Sequence, residues 1–468
     1  MDAKLIIDNK LLDADNNATK DVFSPWEGQY LGTIPMASSQ QAKAAISAAD
    51  KAWQDWKLTT INTRINLLYK AADIIKSKRE DLALSLCLEI GKNISEARSE
   101  IDRAREYIMM TADSAKSLRG SLYYGDVFDK YQKHQKTGLY SRYPLGVILA
   151  ISPFNYPINL SITKIAPALV MGNTVVLKSA TIGSLSSFQF YTCFIEAGFP
   201  LGVINFICGN ASEVGDIMLT DKRVQLIAFT GSTEVGNHIR EVSLGVPLLL
   251  ELGGKDAALV LKDADLDYTA AQIVSGAFSY SGQRCTAQKI VFVESSIKGE
   301  LIQKLVDSAA NYSLSPLINA AAADYIEILK EDALTHGAKL VLASSRSGNK
   351  LSPAILAEVT EEMRLYHEEQ FGPILPVVTI NSISEGVNKI NNSKYALQCS
   401  IYTKDINQAF SVANQIEVGT VQINGKSDRG PDNFPFGGVR DSGQMMQGLH
   451  ESFDLMSRGK LIVLNLSN

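Results

Sequence analysis

Cys285 closes a polar, glycine-containing run, Phe278-Ser279-Tyr280-Ser281-Gly282-Gln283-Arg284-Cys285-Thr286. Upstream of it lie Glu251-Leu252-Gly253-Gly254-Lys255 and, further back, Ser152-Pro153-Phe154-Asn155-Tyr156-Pro157. A thiol, a carboxylate and an amide, each in a stiff setting marked by Gly or Pro, are the parts needed to oxidise an aldehyde through a thioester. The thiolate attacks the carbonyl, the amide holds the oxyanion and the carboxylate activates water.

Each of these residues also has a plainer reading. A lone cysteine is usually a small core hydrophobe, and Cys87 and Cys193 sit in helical apolar patterns that suit that role. Cys285 differs in its polar surroundings, where a nearby cation would favour the thiolate. Glu251 ends the apolar run Leu248-Leu249-Leu250, so partial desolvation is expected to push its pKa upward, as a general base requires. Its alternative is a strand-end salt bridge, with Lys255 the nearest candidate. Asn155, between two prolines, could simply cap a turn.

The elements around these residues point to an α/β protein. From about 39 to 118 the pattern is helical, with stretches ending near Trp56, running from Arg64 to Lys76, and from Ser95 to Leu118. Residues 121–145 alternate Tyr123, Tyr124, Tyr131, Tyr140 and Tyr143 with polar neighbours, which predicts a β-hairpin. From Gly146 the chain alternates strands at 146–151, 175–177, 203–207 and 224–229 with helices at 162–171, 184–197 and 212–220. That alternation implies a parallel, doubly wound sheet. A second alternating set starts near Asp256 and uses 257–261, 289–293, 339–342, 376–380 and 400–402. Residues Lys460 to Leu466 form a terminal strand that needs a partner edge.

Two further segments sit where such sheets bind ligands. Gly231-Ser232-Thr233-Glu234-Val235-Gly236 joins a strand to a helix, so its backbone could approach a phosphate at the helix N-terminus; a plain tight turn is the alternative. Lys178 ends the strand Val175-Val176-Leu177, with Thr181 three residues on. A carboxylate there would repel a ribose 2′-phosphate, whereas Lys178 and Thr181 leave room for it and supply a cation. The alternative is a solvated strand end.

Composition sets the outer limits. The 468 residues suggest roughly two or three domains, and 46% hydrophobic against 20% charged residues argues for large cores rather than disorder. A net charge of −5 argues against non-specific nucleic-acid binding. Cys87, Cys193, Cys208, Cys285 and Cys399 form no zinc pattern, and the five histidines are scattered, so no metal is expected. Sparse cysteines fit a reducing compartment. No apolar run approaches the roughly 20 residues that cross a bilayer, and the N-terminus has no signal-peptide character. The expectation is a soluble cytoplasmic protein with no membrane partner.

Taken together, Glu251-Leu252-Gly253-Gly254-Lys255, Gly282-Gln283-Arg284-Cys285, Ile151 to Pro157 and Arg429-Gly430-Pro431-Asp432-Asn433-Phe434-Pro435-Phe436 resemble the aldehyde dehydrogenase superfamily, over nearly the whole chain. Within it, the likeness is to the non-phosphorylating, NADP-dependent branch that oxidises D-glyceraldehyde 3-phosphate to 3-phosphoglycerate. The resemblance implies Cys285 as nucleophile, Glu251 as water-activating base and Asn155 as oxyanion donor, aided by the Cys285 N–H. It implies NADP held by Ser152, Phe154, Lys178, Thr181, Gly215, Phe229, Gly231 and Ser232, with Glu369 and Phe371 at the nicotinamide ribose. It implies a phosphorylated aldehyde contacted by Arg103, Tyr156, Arg284, Thr286 and Arg429, since forked cations suit a phosphate. For Arg103 the alternative is a helix-surface ion pair with Glu100 or Glu106.

The fold implied is two Rossmann-like doubly wound domains plus a β oligomerisation arm: 1–120 and 146–250 for NADP, 251–454 for catalysis, and 121–145 with 455–468 for the arm. The arm implies a homodimer or a dimer-of-dimers homotetramer. The sequence departs from the family at Ser179, where proline is usual, and in a short connection at 311–317. The competing readings are a succinic-semialdehyde or hydroxyaldehyde dehydrogenase, a CoA-acylating dehydrogenase, and a non-catalytic binding protein on the same scaffold.

Overall fold

The computed structural model describes residues 2–128, 130, 136–243, 245–310 and 312–465. Tyr131 and His134 of the expected hairpin, Asn311 of the short connection and Leu466 at the terminal strand lie outside these residues.

Apolar runs buried on both faces make the parallel strands of the first sheet. Val147–Ile151 lies at the centre. Thr174–Lys178 and Ile204–Ile207 follow on one side, and Val224–Thr230 and Leu248–Glu251 on the other, all parallel. The winding therefore reverses between Val147–Ile151 and Val224–Thr230, and ligands of open α/β sheets bind at the carboxyl ends of strands beside such a reversal. Antiparallel strands close both edges: Leu5–Ile7 beside Ile204–Ile207, and Gly443–Gln444 beside Leu248–Glu251.

The helices Ser39–Trp56, Ile61–Ser77 and Ile94–Ala115 occupy the expected stretches. Reciprocal caps set two of their starts: Ser38 with Gln41, and Asn93 with Glu96. Not anticipated were the short N-terminal strands, the ribbon Thr19–Phe23 with Tyr30–Pro35, and the helix Arg79–Ile90.

The second sheet has seven strands in the order Lys339–Leu342, Ala354–Ala357, Ile374–Ile380, Ile290–Glu294, Ala257–Val260, Gln398–Tyr402 and Thr420–Ile423. It is parallel except for its first edge strand. Two separate cores pack against it, distinct from the core of the first sheet. The chain rejoins the first core before residue 454, with Leu449 and Phe453 buried there and Met456 just after.

Ser121–Tyr124, Lys136–Pro144 and Ser457–Asn465 form a separate three-stranded antiparallel sheet. The terminal strand thus finds its partner edge, with Ser457 opposite Pro144 and Asn465 opposite Lys136. The molecule has the expected α/β class: two wound sheets and a projecting β arm. Among the described residues, no helix is long and apolar enough to cross a membrane.

Candidate active site

The segment before Cys285 is bent out of ordinary backbone space. The helix Leu266–Phe278 ends, and Tyr280 (φ 49°), Ser281 (φ 54°) and Gly282 (φ 73°) follow with left-handed dihedrals. For the two non-glycine residues this conformation is costly and persists only where the surroundings impose it. They do so here. Tyr280 N donates to Glu96 Oε1 (3.1 Å) and its hydroxyl to the Ile90 carbonyl (2.8 Å). Ser281 Oγ donates to the Ser315 carbonyl (2.6 Å), and Gln283 Oε1 accepts from Ile318 N (2.9 Å). The expected short connection therefore braces the turn that presents Cys285.

Asn155 meets this turn from the first sheet. It is buried, and its Nδ2 donates to the Gln283 carbonyl at 2.9 Å. The same nitrogen carries a second N–H, so the amide is fixed beside the thiol loop with donor capacity to spare. The preceding residues are braced too: Glu100 Oε1 accepts from the N–H groups of Ile158 and Asn159 at 3.1 Å each, and Glu100 pairs with the fully buried Lys92. Lys92 Nζ stands 3.4 Å from the Tyr156 ring centroid, a cation–π contact that orients that ring.

Glu251 ends its strand in a dense set of partners. Oε2 accepts from Thr230 Oγ1 (2.7 Å) and Lys164 Nζ (3.2 Å), and Oε1 from Arg429 Nη1 (2.9 Å). Two expectations need correction. Burial does raise its pKa, but Arg429, Lys164 and the Thr230 bond outweigh burial and hold the carboxyl below its ordinary value. Its ionic partner is not Lys255, whose ammonium donates to the Leu365 and Glu368 carbonyls and to Gln370.

The thiolate expectation for Cys285 is also reversed. Burial pushes the thiol up to about 11, Lys289 opposes that, and Glu251, Asp256 and Glu369 add to it. The adjacent Arg284 does not help, because its Nη2 turns away to the Gly276 carbonyl at 2.7 Å. Cys285 nonetheless remains partly exposed, at the end of a cavity. Thr286 beside it is buried.

That cavity measures about 820 Å³ and opens at the carboxyl ends of the first sheet's strands, where the winding reverses. Of the expected cofactor residues, Ser152, Phe154, Lys178, Gly215, Phe229, Gly231, Ser232, Glu369 and Phe371 all line it. Thr181 is not among its lining residues. The donor set suits a dinucleotide. Ser152 Oγ is buried without a partner, Lys178 offers a cation, and Ser232 caps the helix Thr233–Val242. Gly231 packs against the Phe229 ring, where a Cβ would collide. Phe154 and Phe371 meet edge-on, 6.0 Å apart between centroids, and Glu369 Oε1 is fixed by the Gly254 N–H at 3.0 Å.

The expected substrate arginines converge on one loop. Arg103 makes a forked pair with Asp432 (2.5 and 2.7 Å) and donates to the Arg429 carbonyl (2.7 Å). It therefore does not pair with Glu100 or Glu106. Arg284 lies 3.4 Å from Asp428, and its buried Nε has no partner. Arg429 is divided between Glu251 and Asp432 (3.6 Å). Three residues were missed: Lys164, Lys289 and Asp432. Lys164 had a signal, since a lysine inside the apolar helix Asn159–Val170 must be paired. Asp432 lies within the run Arg429 to Phe436 that carries the resemblance, and nothing in the local sequence marks Lys289.

Residues 12–462 match the pattern of the aldehyde dehydrogenase family. The chain belongs to that family. It is 43% identical over 455 residues to the NADP-dependent glyceraldehyde-3-phosphate dehydrogenase of Streptococcus equinus, covering 95% of each chain. The enzyme of the same name from Pisum sativum is 41% identical over 444 residues, covering 92% of this chain and 89% of the other. Among solved structures, the NADP complex of the Bacillus halodurans C-125 NADP-dependent glyceraldehyde-3-phosphate dehydrogenase superposes with a TM-score of 0.98 at 42% identity, over 100% of both chains. Within this aldehyde dehydrogenase, the approach of Cys285, Asn155 and Glu251 rests on the joining of two sheets: Glu251 ends a strand of the first, and Cys285 lies just before a strand of the second.

Proposed function

We propose that this aldehyde dehydrogenase oxidises D-glyceraldehyde 3-phosphate to 3-phosphoglycerate with NADP+, through a thioester on Cys285 that water hydrolyses. The observation that carries the reading is Cys285 lining a cleft that suits a dinucleotide, with Arg103, Arg284 and Arg429 converging on one loop. A phosphate would compete for these forked cations with their present carboxylate partners, Asp432, Asp428 and Glu251. Tyr156 and Thr286 complete the proposed substrate contacts.

The Cys285 thiol loses its proton to solvent, the thiolate Sγ attacks C1 of the aldehyde as the C=O π bond breaks, and Asn155 Nδ2 with the Cys285 N–H receives the resulting oxyanion. NADP bound in the cleft supplies the hydride acceptor. Glu251 then takes a proton from water as that water attacks the thioester, and Cys285 departs as the leaving group. Lys178 and Ser232 are proposed to hold the cofactor's phosphates, with Glu369 at the nicotinamide ribose. In this reading residues 1–120 and 146–250 bind NADP and 251–454 carry the nucleophile, with 443–456 packed back against the first core.

The substrate assignment is tested by Arg284→Ala and Arg103→Ala. Each should lower kcat/KM for glyceraldehyde 3-phosphate by about tenfold to a hundredfold, because a charged hydrogen bond is lost, while propanal is affected little. Equal losses on both aldehydes, or a preference of the parent for succinic semialdehyde, would transfer the chain to another substrate class. Arg429→Ala tests the electrostatics of the base. Without that guanidinium, burial is opposed only by Lys164 and the Thr230 bond, and the Glu251 pKa rises. With propanal as substrate, the acidic limb of thioester hydrolysis should therefore move to higher pH; an unmoved limb would exclude Arg429 from tuning Glu251.

The arm is proposed to assemble a homodimer or a dimer-of-dimers tetramer. Leu122, Tyr123, Leu139, Leu461 and Val463 are exposed on it, and clustered exposed apolar side chains mark interaction surfaces. Light scattering should return two or four chain masses, and a single chain mass would contradict the assembly. Five unpaired cysteines suit a reducing compartment, and the cytoplasm is the proposed location.

A further inference from the structure

Two ionisable side chains that take no part in the steps above stand behind the nucleophile, at the starts of adjacent strands. Lys289 immediately precedes Ile290–Glu294 and Asp256 immediately precedes Ala257–Val260; these strands run parallel, with Ala257 opposite Ile290. The Lys289 N–H donates to the Asp256 carbonyl at 2.8 Å, which locks the two residues side by side.

Lys289 is 1% exposed, and its ammonium is aimed at the nucleophile's own backbone. Nζ donates to the carbonyls of Arg284 (2.9 Å) and Cys285 (2.5 Å) and lies 3.3 Å from Glu369 Oε1. Asp256 is fully buried. Its Oδ2 accepts from Ser427 Oγ (2.5 Å) and its Oδ1 from Gln398 N (3.3 Å). Gly254 shows how near this carboxyl comes to the nucleophile. A Cβ built there would lie 2.7 Å from Asp256 Oδ1 and 3.0 Å from the Cys285 carbonyl. A cation and a carboxyl thus flank the same stretch of backbone.

The charged groups that act on the thiol come from every element around it: Lys289 and Asp256 from behind, Glu251 from the end of Leu248–Glu251, Glu369 from the loop after residue 367, and Lys164 from the helix Asn159–Val170. A cation in that shell favours the thiolate and an anion opposes it. Lys289 opposes the burial of the thiol, whereas Asp256 adds to it. Asp256 is itself pushed up to about 7 by burial, against the pull of Lys289, so it is mostly ionised one pH unit higher.

We propose that Lys289 and Asp256 are opposed positioning residues for Cys285: Lys289 fixes the carbonyls of the nucleophile loop and stabilises the thiolate, and Asp256 holds the thiolate population down. The proposal rests on Cys285 being the nucleophile. Its readout is the second-order rate of iodoacetamide alkylation at Cys285, mapped by mass spectrometry on the full chain at about pH 8, one unit above the Asp256 value of about 7.

Each unit of thiol pKa changes the thiolate fraction about tenfold, and the weaker nucleophilicity of a less basic thiolate returns part of that, leaving roughly threefold in rate. Asp256→Asn should therefore speed alkylation roughly threefold or more, and Lys289→Met should slow it by a similar factor. General damage to the loop would move both variants the same way. Changes of the same sign, or an Asp256→Asn rate equal to the parent's, would overturn the proposal. If Lys289→Met does not fold, the near-isosteric Asp256→Asn decides alone: a faster rate supports the pair, and an unchanged or slower one rejects it. Alkylation of Cys285 that leaves turnover intact would instead remove the nucleophile reading itself.

Discussion

The Cys285→Ser variant is expected to form NADPH more slowly than the parent by about 10⁴-fold or more, while binding NADP+ as the parent does. The surroundings of residue 285 explain the size of the loss. Glu251, Asp256 and Glu369 all oppose a negative charge at this position, and even the thiol is pushed up to about 11. A hydroxyl is intrinsically far less acidic, and its ester is a poorer partner for water than a thioester. Lys289, bound to the loop carbonyls, opposes these groups only in part, and Arg284 faces Gly276 instead. Single-turnover NADPH formation with saturating aldehyde measures the effect. A serine variant within tenfold of the parent would show that another group attacks the aldehyde.

The Glu251→Gln variant should separate the two halves of the reaction. Attack and oxidation do not require the carboxylate, so about one NADPH per subunit should appear in a burst. Hydrolysis should then fall by about 10² to 10⁴-fold, the range for loss of a positioned general base. The substitution also removes the counter-charge of the buried Lys164 and the partly buried Arg429. Breaking such a pair costs roughly 3–5 kcal/mol, so unfolding by denaturant should be measured alongside the kinetics. Sustained turnover without a burst, in a folded variant, would assign water activation elsewhere.

The two corrections at these residues have one physical origin. The positions of Cys285, Glu251 and Asn155 were legible because local punctuation marks them: an apolar strand ending in a carboxylate, a glycine before a thiol, an amide between prolines. Their ionisation was not, because it depends on groups far away in the chain. Arg429 reaches Glu251 across 178 residues and Lys164 across 87. Burial of Glu251 was correctly anticipated, but its direction of shift was decided by partners that burial alone does not reveal.

The same division runs through the fold. Ser39–Trp56 and the strands around Val147–Ile151 follow from periodicity and from apolar runs. The helix Arg79–Ile90 was missed because Lys78 serves both as the end of Ile61–Ser77 and as the cap of the next helix, leaving no break to read. Leu5–Ile7 is three residues long and owes its strand form to a neighbouring edge. Thr181 was expected at the cofactor from its spacing to Lys178, yet only Lys178 lines the cleft. The loop after Lys178 turns Ser179 inward, toward Ser187 Oγ at 3.3 Å, and three residues of sequence do not report that turn.

This aldehyde dehydrogenase is proposed to take glyceraldehyde 3-phosphate to a free acid with NADP+, using water as the acyl acceptor. It is tested most directly by following NADPH absorbance with glyceraldehyde 3-phosphate and NADP+ in the absence of inorganic phosphate and of coenzyme A, with a parallel run on NAD+. Sustained NADPH formation, matched mole for mole by 3-phosphoglycerate, and weaker activity with NAD+ are expected. No NADPH under these conditions, or turnover that appears only when phosphate or coenzyme A is added, would contradict it.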